Sequence, residues 1–200
     1  MTEPIIIPGR SWQANSYIFD NILIDAGITE DKISPYADTI EKIVITHGHY
    51  DHIAHLPGLA AACNAEIYIG EFDYEFLSNP ELSLSSHFGA AQPVIQTEQR
   101  LRDGDRIGEF VVCHTPGHTR GSICLFRESD GTLVSGDTIF PGGDYGRCDL
   151  PTGNMADLKK SIERLAKLPV ESIWCGHGTP APRDGTRNLQ MSWANVQREP

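Results

Sequence analysis

Three of the chain's eight histidines fall within the short run Thr46-His47-Gly48-His49-Tyr50-Asp51-His52. Eight histidines in 200 residues would not cluster this way by composition alone. Imidazoles offer neutral nitrogen donors and an aspartate offers a hard oxygen donor. Together they suit a borderline cation such as zinc. In a locally extended loop His47 and His49 project to one side, and Asp51 and His52 follow at the start of a helix, facing the same space. Three later segments each add one ligand type beside glycine: Thr115-Pro116-Gly117-His118-Thr119, Ser135-Gly136-Asp137-Thr138 and Cys175-Gly176-His177-Gly178. A single Gly-His pair carries little information. Seven ligand types gathered at four such segments point to a metal centre.

Each segment needs a rigid element just before it, and the sequence supplies one. Ile43–Ile45 is a β-branched apolar run that reads as a buried strand. Phe110–Cys113, Thr132–Val134 and Ser172–Trp174 precede the other three segments and also read as strands. A helix is expected from Ile53 to Ala62, with Pro57 near its start and Leu56, Leu59 and Ala60 on one face. Ile5–Ile7, Tyr17–Phe19, Ile22–Ile24, Glu66–Ile69 and Ile123–Phe126 are further strands, with a tight turn at Asp20-Asn21. Asp130-Gly131 marks a hairpin. Gly70–Leu77 reads as a short acidic helix. Asn154–Asp157 starts another helix, on which Leu158, Ile162, Leu165 and Leu168 recur at helical spacing until Pro169. Glu171–Trp174 is a last strand and Thr186 to Val196 a terminal helix. The expected organisation is one α/β domain over residues 1–200.

Composition narrows the function classes. Sixteen Lys and Arg against 27 Asp and Glu give a net charge of −11, with no basic cluster. A phosphate backbone or an anionic membrane surface would be repelled, so nucleic acid and membrane are not expected partners. No window approaches the roughly 18 apolar residues of a membrane span. The start, MTEPIIIPGR, lacks the basic region of a signal peptide, and a cytoplasmic location is expected. The five cysteines contain no C-x-x-C pair, which gives neither a disulfide framework nor a zinc knuckle.

His47-x-His49-x-Asp51-His52, followed in order by His118, Asp137 and His177, resembles the five-part signature of the metallo-β-lactamase superfamily. The resemblance implies an αββα four-layer sandwich, two mixed sheets flanked by helices, with metals at one edge. Within the superfamily the chain is most similar to the glyoxalase II group, the hydroxyacylglutathione hydrolases, and to its short members. The supporting segments are Thr46–His52, Thr115–Ser122, Ser135–Phe140 and Gly146-Arg147-Cys148-Asp149-Leu150-Pro151-Thr152-Gly153-Asn154. Only 23 residues follow His177, so a counterpart of the helical glutathione-binding domain of the long enzymes is not expected. Ala54 and His55 also stand where glycine is common.

By position, the resemblance assigns His47, His49 and His118 to one metal and Asp51, His52 and His177 to a second. Asp137 bridges them. Two divalent ions, zinc first and iron as the alternative, would lower the pKa of a bridging water to about 7. The expected activity is hydrolysis of a small thioester by that hydroxide, with Asp51 and Asp137 as catalytic groups. A persulfide dioxygenase using one iron, a lactonase and a non-catalytic metal-binding protein are the alternatives. β-Lactamase activity, an oxygen-reducing diiron module and a nuclease are disfavoured. Arg147 either binds a substrate carboxylate or braces Asp137, and Tyr145 and Tyr50 are candidate cleft residues. His114 is expected to be structural. His55 either supports a ligand or lies at the surface, and His87 belongs to a polar segment able to cover the cleft. Cys148 and Cys175 are expected spectators.

Overall fold

The structure, a computed structural model, describes residues 3–97 and 99–199. The chain divides into two compact units, one ending at Leu101 and the other beginning at Arg102. Each is built on its own mixed sheet with helices, the class expected from the strand and helix pattern.

The first unit carries β1 (Ile5–Ile7), β2 (Ser16–Phe19), β3 (Ile22–Ile24), β4 (Lys42–Ile45), β5 (Glu66–Gly70) and β6 (Gln99–Leu101), hydrogen-bonded in that order. The pairs β1/β2 and β2/β3 are antiparallel; those from β3 to β6 are parallel. Asp20 at the β2–β3 turn takes φ 51, the left-handed conformation that a short polar side chain tolerates. β3 and β4 are continuous apolar runs rather than alternating ones, as strands buried on both faces require. Leu23 of β3 and Ile43 and Ile45 of β4 share a core with Ile53, Leu56 and Leu59.

The helices of this unit are α1 (Glu30–Ile33), α2 (Tyr50–Ile53) and α3 (Leu56–Cys63). The single helix expected from Ile53 to Ala62 is in fact a one-turn helix, a break at Ala54-His55, and a second helix. The break has a hydrogen-bonding cause. The His52 carbonyl accepts from the Ala26 amide at 2.8 Å, and the His55 amide donates to the Ala26 carbonyl at 3.0 Å. These bonds tie the break to the chain just past β3. Pro57 suits the first turn of α3, where a missing amide costs nothing. The acidic segment after β5 forms a 3-10 helix, Glu71–Leu77, and a second one covers Ser85–Phe88.

The second unit carries β7 (Arg106–Ile107), β8 (Phe110–His114), β9 (Ile123–Arg127), β10 (Thr132–Gly136), a small hairpin of β11 (Ile139–Phe140) and β12 (Asp144–Tyr145), and β13 (Ser172–Cys175). Its main sheet runs β13-β10-β9-β8-β7, with β10/β13 parallel and the rest antiparallel. The Asp130-Gly131 hairpin joins β9 to β10, with Gly131 at φ 69. α4 (Met155–Leu165) and α5 (Gly185–Val196) place Leu158, Ile162, Leu165, Leu189 and Val196 in one core with Phe126, Leu133 and Ile173. Asn154 caps α4, its side chain accepting from the Asp157 amide at 3.0 Å. α4 ends at Leu165, so Leu168 lies in the turn beyond it, because the residue before Pro169 disfavours helical backbone. Among the described residues no helix is long and apolar enough to cross a membrane.

Candidate metal centre

The first unit delivers four of the seven candidate ligands from one strand end. β4 stops at Ile45, the chain loops through Thr46–His49, and α2 begins at Tyr50. His47, His49 and His52 are all buried. His47 Nε2 stands 3.1 Å from His49 Nδ1, and the His47 and His52 rings are 4.1 Å apart between centroids. Two nitrogens bound tetrahedrally to one cation at ~2.0 Å are ~3.3 Å from each other. The His47–His49 separation therefore fits a shared metal. Asp51 is a few ångströms along the same turn, its Oδ2 4.0 Å from His52 Nε2.

Two acids that the motif reading passed over fix this loop. Asp25 follows β3 at φ 61 and is buried. It accepts from the Thr46 amide at 2.8 Å and from the Thr46 hydroxyl, and its Oδ2 lies 2.9 Å from His52 Nδ1. Donation from Nδ1 sets the tautomer that presents the Nε2 lone pair. The sequence signal was an aspartate directly after a buried strand, which gains meaning only once β3 is known to pair with β4. Asp73, fully buried in the Glu71–Leu77 turn, accepts from the Gly48 amide at 3.0 Å. That bond holds the peptide between His47 and His49. Gly48 is required by contact: a Cβ there would sit 2.2 Å from the Cβ of Phe76.

His55 does not join these residues. Its Nδ1 lies 3.6 Å from the Glu30 carboxylate, and the α2–α3 break takes it off the helix turn of His52. His87 is exposed on the Ser85–Phe88 turn beside Ser86. Tyr50 stacks on Trp12 with centroids 5.6 Å apart.

The second unit brings three candidate ligands to one sheet edge, past β8, β10 and β13. Parallel pairing of β10 with β13, through Gly136 opposite Cys175, sets Asp137 beside His177. Asp137 Oδ2 is 3.5 Å from His177 Nε2 and 3.8 Å from His118 Nε2. His118 Nδ1 donates to the Arg147 carbonyl at 2.7 Å, which again presents Nε2. Gly146 allows this approach. A Cβ there would lie 1.9 Å from the Asp137 carbonyl oxygen and 3.0 Å from His118 Nδ1. Gly117 takes φ +142 against α4, where a side chain would meet Leu158 at 2.4 Å.

The remaining candidates of this unit turn elsewhere. The Arg147 guanidinium forms two 2.7 Å bonds to Asp149, both residues being exposed, and holds the Asp149 carboxyl at about 2. Its backbone carbonyl, not its charge, meets the candidate ligand His118. The Tyr145 hydroxyl donates to Glu199 at 2.7 Å; burial and that carboxylate push the phenol up to about 12. His114 is hydrogen-bonded on both sides, by its amide to Asp103 and by Nε2 to the Arg120 carbonyl. The Cys175 thiol donates to the His177 carbonyl at 3.0 Å, and burial, reinforced by the Asp137 charge, pushes it up to about 12. Burial also raises Cys148. Protonated thiols are poor nucleophiles and poor ligands.

Comparison with known proteins places this geometry in context. The profile of the Metallo-beta-lactamase superfamily matches residues 9–177, a span holding all seven candidate ligands. A probable metallo-hydrolase of Methanocaldococcus jannaschii is 32% identical over 192 residues, covering 85% of this chain and 90% of that protein. A hydroxyacylglutathione hydrolase of Aeromonas hydrophila is 32% identical over 165 residues. That match covers 78% of this chain but 56% of the Aeromonas protein, so the chain aligns with about half of it. Among solved structures, TTHA1623 in a di-iron-bound form superposes with a TM-score of 0.80 at 27% identity, covering 96% of both chains.

Proposed function

This chain belongs to the metallo-β-lactamase superfamily, with its fold, and we propose that it is a dinuclear metallo-hydrolase acting on a small thioester. The observation that carries this reading is the position of Asp137 between His118 and His177. The family resemblance gives these two imidazoles to different metals, and a carboxylate near both supports a bridging role for Asp137. By the family resemblance His47, His49 and His118 would hold one cation and Asp51, His52 and His177 the other, with Asp137 as the shared ligand. Divalent cations in such sites supply Lewis acidity and bring the pKa of water near neutrality.

The protein's own residues do the rest. Asp25 and the Arg147 carbonyl fix the tautomers of His52 and His118. Asp73 and Gly48 hold His47 and His49 at metal-sharing separation. The Asp51 carboxylate would orient a water held at the cations. Cys148 and Cys175, with raised thiol pKa values, stay out of the reaction. Similarity to about half of the Aeromonas hydroxyacylglutathione hydrolase supports a thioester as substrate. The net charge of −11 supports a small molecule rather than nucleic acid as partner. All five cysteines are free thiols, which supports the reducing cytoplasm as its location.

Elemental analysis of protein purified without added metal, followed by a thioester panel, tests the reading. Two zinc ions per chain and thioester turnover are expected. The di-iron form of TTHA1623 makes two irons the alternative occupant. One iron with oxygen consumption on a persulfide would replace the hydrolase reading with a dioxygenase.

A further inference from the structure

Three aromatic rings from separate stretches of the first unit meet at the ligand loop. Trp12 stacks on Tyr50 at 5.6 Å and 24°. Phe88 lies 5.1 Å from Trp12 and 5.4 Å from Tyr50 between centroids. Such spacings are those of favourable aromatic pairs. Yet Trp12 remains 39% exposed and Phe88 41% exposed. Single exposed apolar residues need no explanation, but a contiguous stacked set does.

The set is anchored to α2 by backbone. The Ala14 amide donates to the Asp51 carbonyl at 3.2 Å, and the Tyr50 amide donates to the Ser83 carbonyl at 2.7 Å. Tyr50 itself sits between His49 and Asp51, both assigned as ligands. The three rings are thus joined, through Tyr50 and the Ala14–Asp51 backbone bond, to the segment that carries the candidate ligands. The patch is too small for a protein partner. Two rings left about 40% exposed offer on the order of 200 Å², against roughly 800 Å² per partner in a stable complex. It is the size of one short apolar group.

We propose that Trp12, Tyr50 and Phe88 form an apolar rim that binds the hydrocarbon arm of the substrate, selecting thioesters with a longer apolar arm over acetyl thioesters. The identification of the arm rests on the thioester reading above. The arm belongs to either the acyl or the thiol side, and the two are separable by experiment.

kcat/KM is measured on acetyl, butyryl and hexanoyl thioesters of N-acetylcysteamine, and on acetyl thioesters of ethanethiol and hexanethiol. Wild type should favour the longer arm about tenfold in one series, the effect of burying roughly two methylenes. In the double variant Trp12→Ala/Phe88→Ala that ratio should fall towards one, and Trp12→Ala alone should lower it if the double variant fails to fold. Val94→Ser, at an exposed valine outside the stack, should keep the wild-type ratio. Equal ratios in wild type and variants, in both series, would overturn the rim. Calorimetry with the non-hydrolysable S-methyl and S-hexyl thioethers of N-acetylcysteamine separates the two ideas. Tighter binding of the S-hexyl compound, lost in the double variant, supports the rim even if no thioester turns over, an outcome that would overturn only the thioester reading. Equal binding of both thioethers by wild type overturns the rim whatever the turnover.

Discussion

Asp25 Oδ2 lies 2.9 Å from His52 Nδ1, although the two residues are 27 apart in sequence and both are out of contact with water. The parallel pairing of β3 with β4 makes this contact. Ile24 registers with Val44, and the Asp25 amide donates to the Val44 carbonyl at 2.9 Å. The next residues of both strands then meet over His52. A buried carboxylate on the far nitrogen of a ligating imidazole raises its basicity and fixes its ring. Asp25→Ala should therefore weaken metal binding or activity by roughly 10–100-fold. Metal titration by competition with a chromophoric chelator measures it. An unchanged affinity would leave Asp25 with a purely structural role on Thr46.

Asp73 acts on the same loop from below. Asp73→Ala removes the acceptor of a buried amide and should cost about 1–3 kcal/mol of stability. It should also loosen the first metal. Asp73→Asn keeps an acceptor at that position and should recover part of both losses. Urea unfolding and metal titration of the two variants give the comparison, and equal losses in both would show that the charge rather than the acceptor matters.

Asp137 is placed between two imidazoles, and Asp137→Ala should lower the metal content of the purified protein and abolish hydrolysis while the fold survives. Two +2 ions about 3.5–4 Å apart need a bridging anion to offset their repulsion. Gly146→Ala should have a milder version of the same effect, since its Cβ would meet the Asp137 carbonyl oxygen at 1.9 Å. Metal analysis decides: two metals per chain and near-normal turnover in Asp137→Ala would remove its bridging role.

Arg147→Ala should change kcat and KM by less than about threefold. The guanidinium is spent on Asp149 at the surface, and the carbonyl that holds His118 belongs to the backbone and survives the substitution. A tenfold rise in KM with kcat intact would instead make the guanidinium a substrate ligand.

The Asp130 carboxyl faces competing effects. Burial raises its pKa, but hydrogen bonds from Arg127 and Thr132 and the Arg127 charge outweigh it, and the net shift is downward. A carboxyl depressed in the folded state contributes stability that is complete above its unfolded pKa, near 3.9, and lost as pH falls through the folded value. Asp130→Asn should lower stability at pH 7 by about 1–3 kcal/mol, because buried Arg127 loses a charged partner held at 2.7 Å. It should also flatten the loss of stability below about pH 4. Urea unfolding from pH 7 to pH 3 measures both, and parallel curves for variant and wild type would contradict it.

What the sequence determined by itself was local chemistry and local structure. Histidines and aspartates beside glycines just past apolar runs announce ligands at strand ends, because strand periodicity and the turn preferences of glycine act over a few residues. Asn154 announced its helix for the same reason, and the Asp130-Gly131 hairpin its turn. The tertiary structure decided what depends on register and burial. Only β3–β4 pairing turns Asp25 into the partner of His52, and only the packing of the Glu71–Leu77 turn under Gly48 gives Asp73 its amide. Backbone bonds to Ala26 break the expected helix and carry His55 to Glu30. Asp149, two residues along the chain, takes the Arg147 side chain, while the fold gives the Arg147 carbonyl to His118. These outcomes follow from which distant backbone groups meet in a buried, low-dielectric interior where each polar group must find a partner.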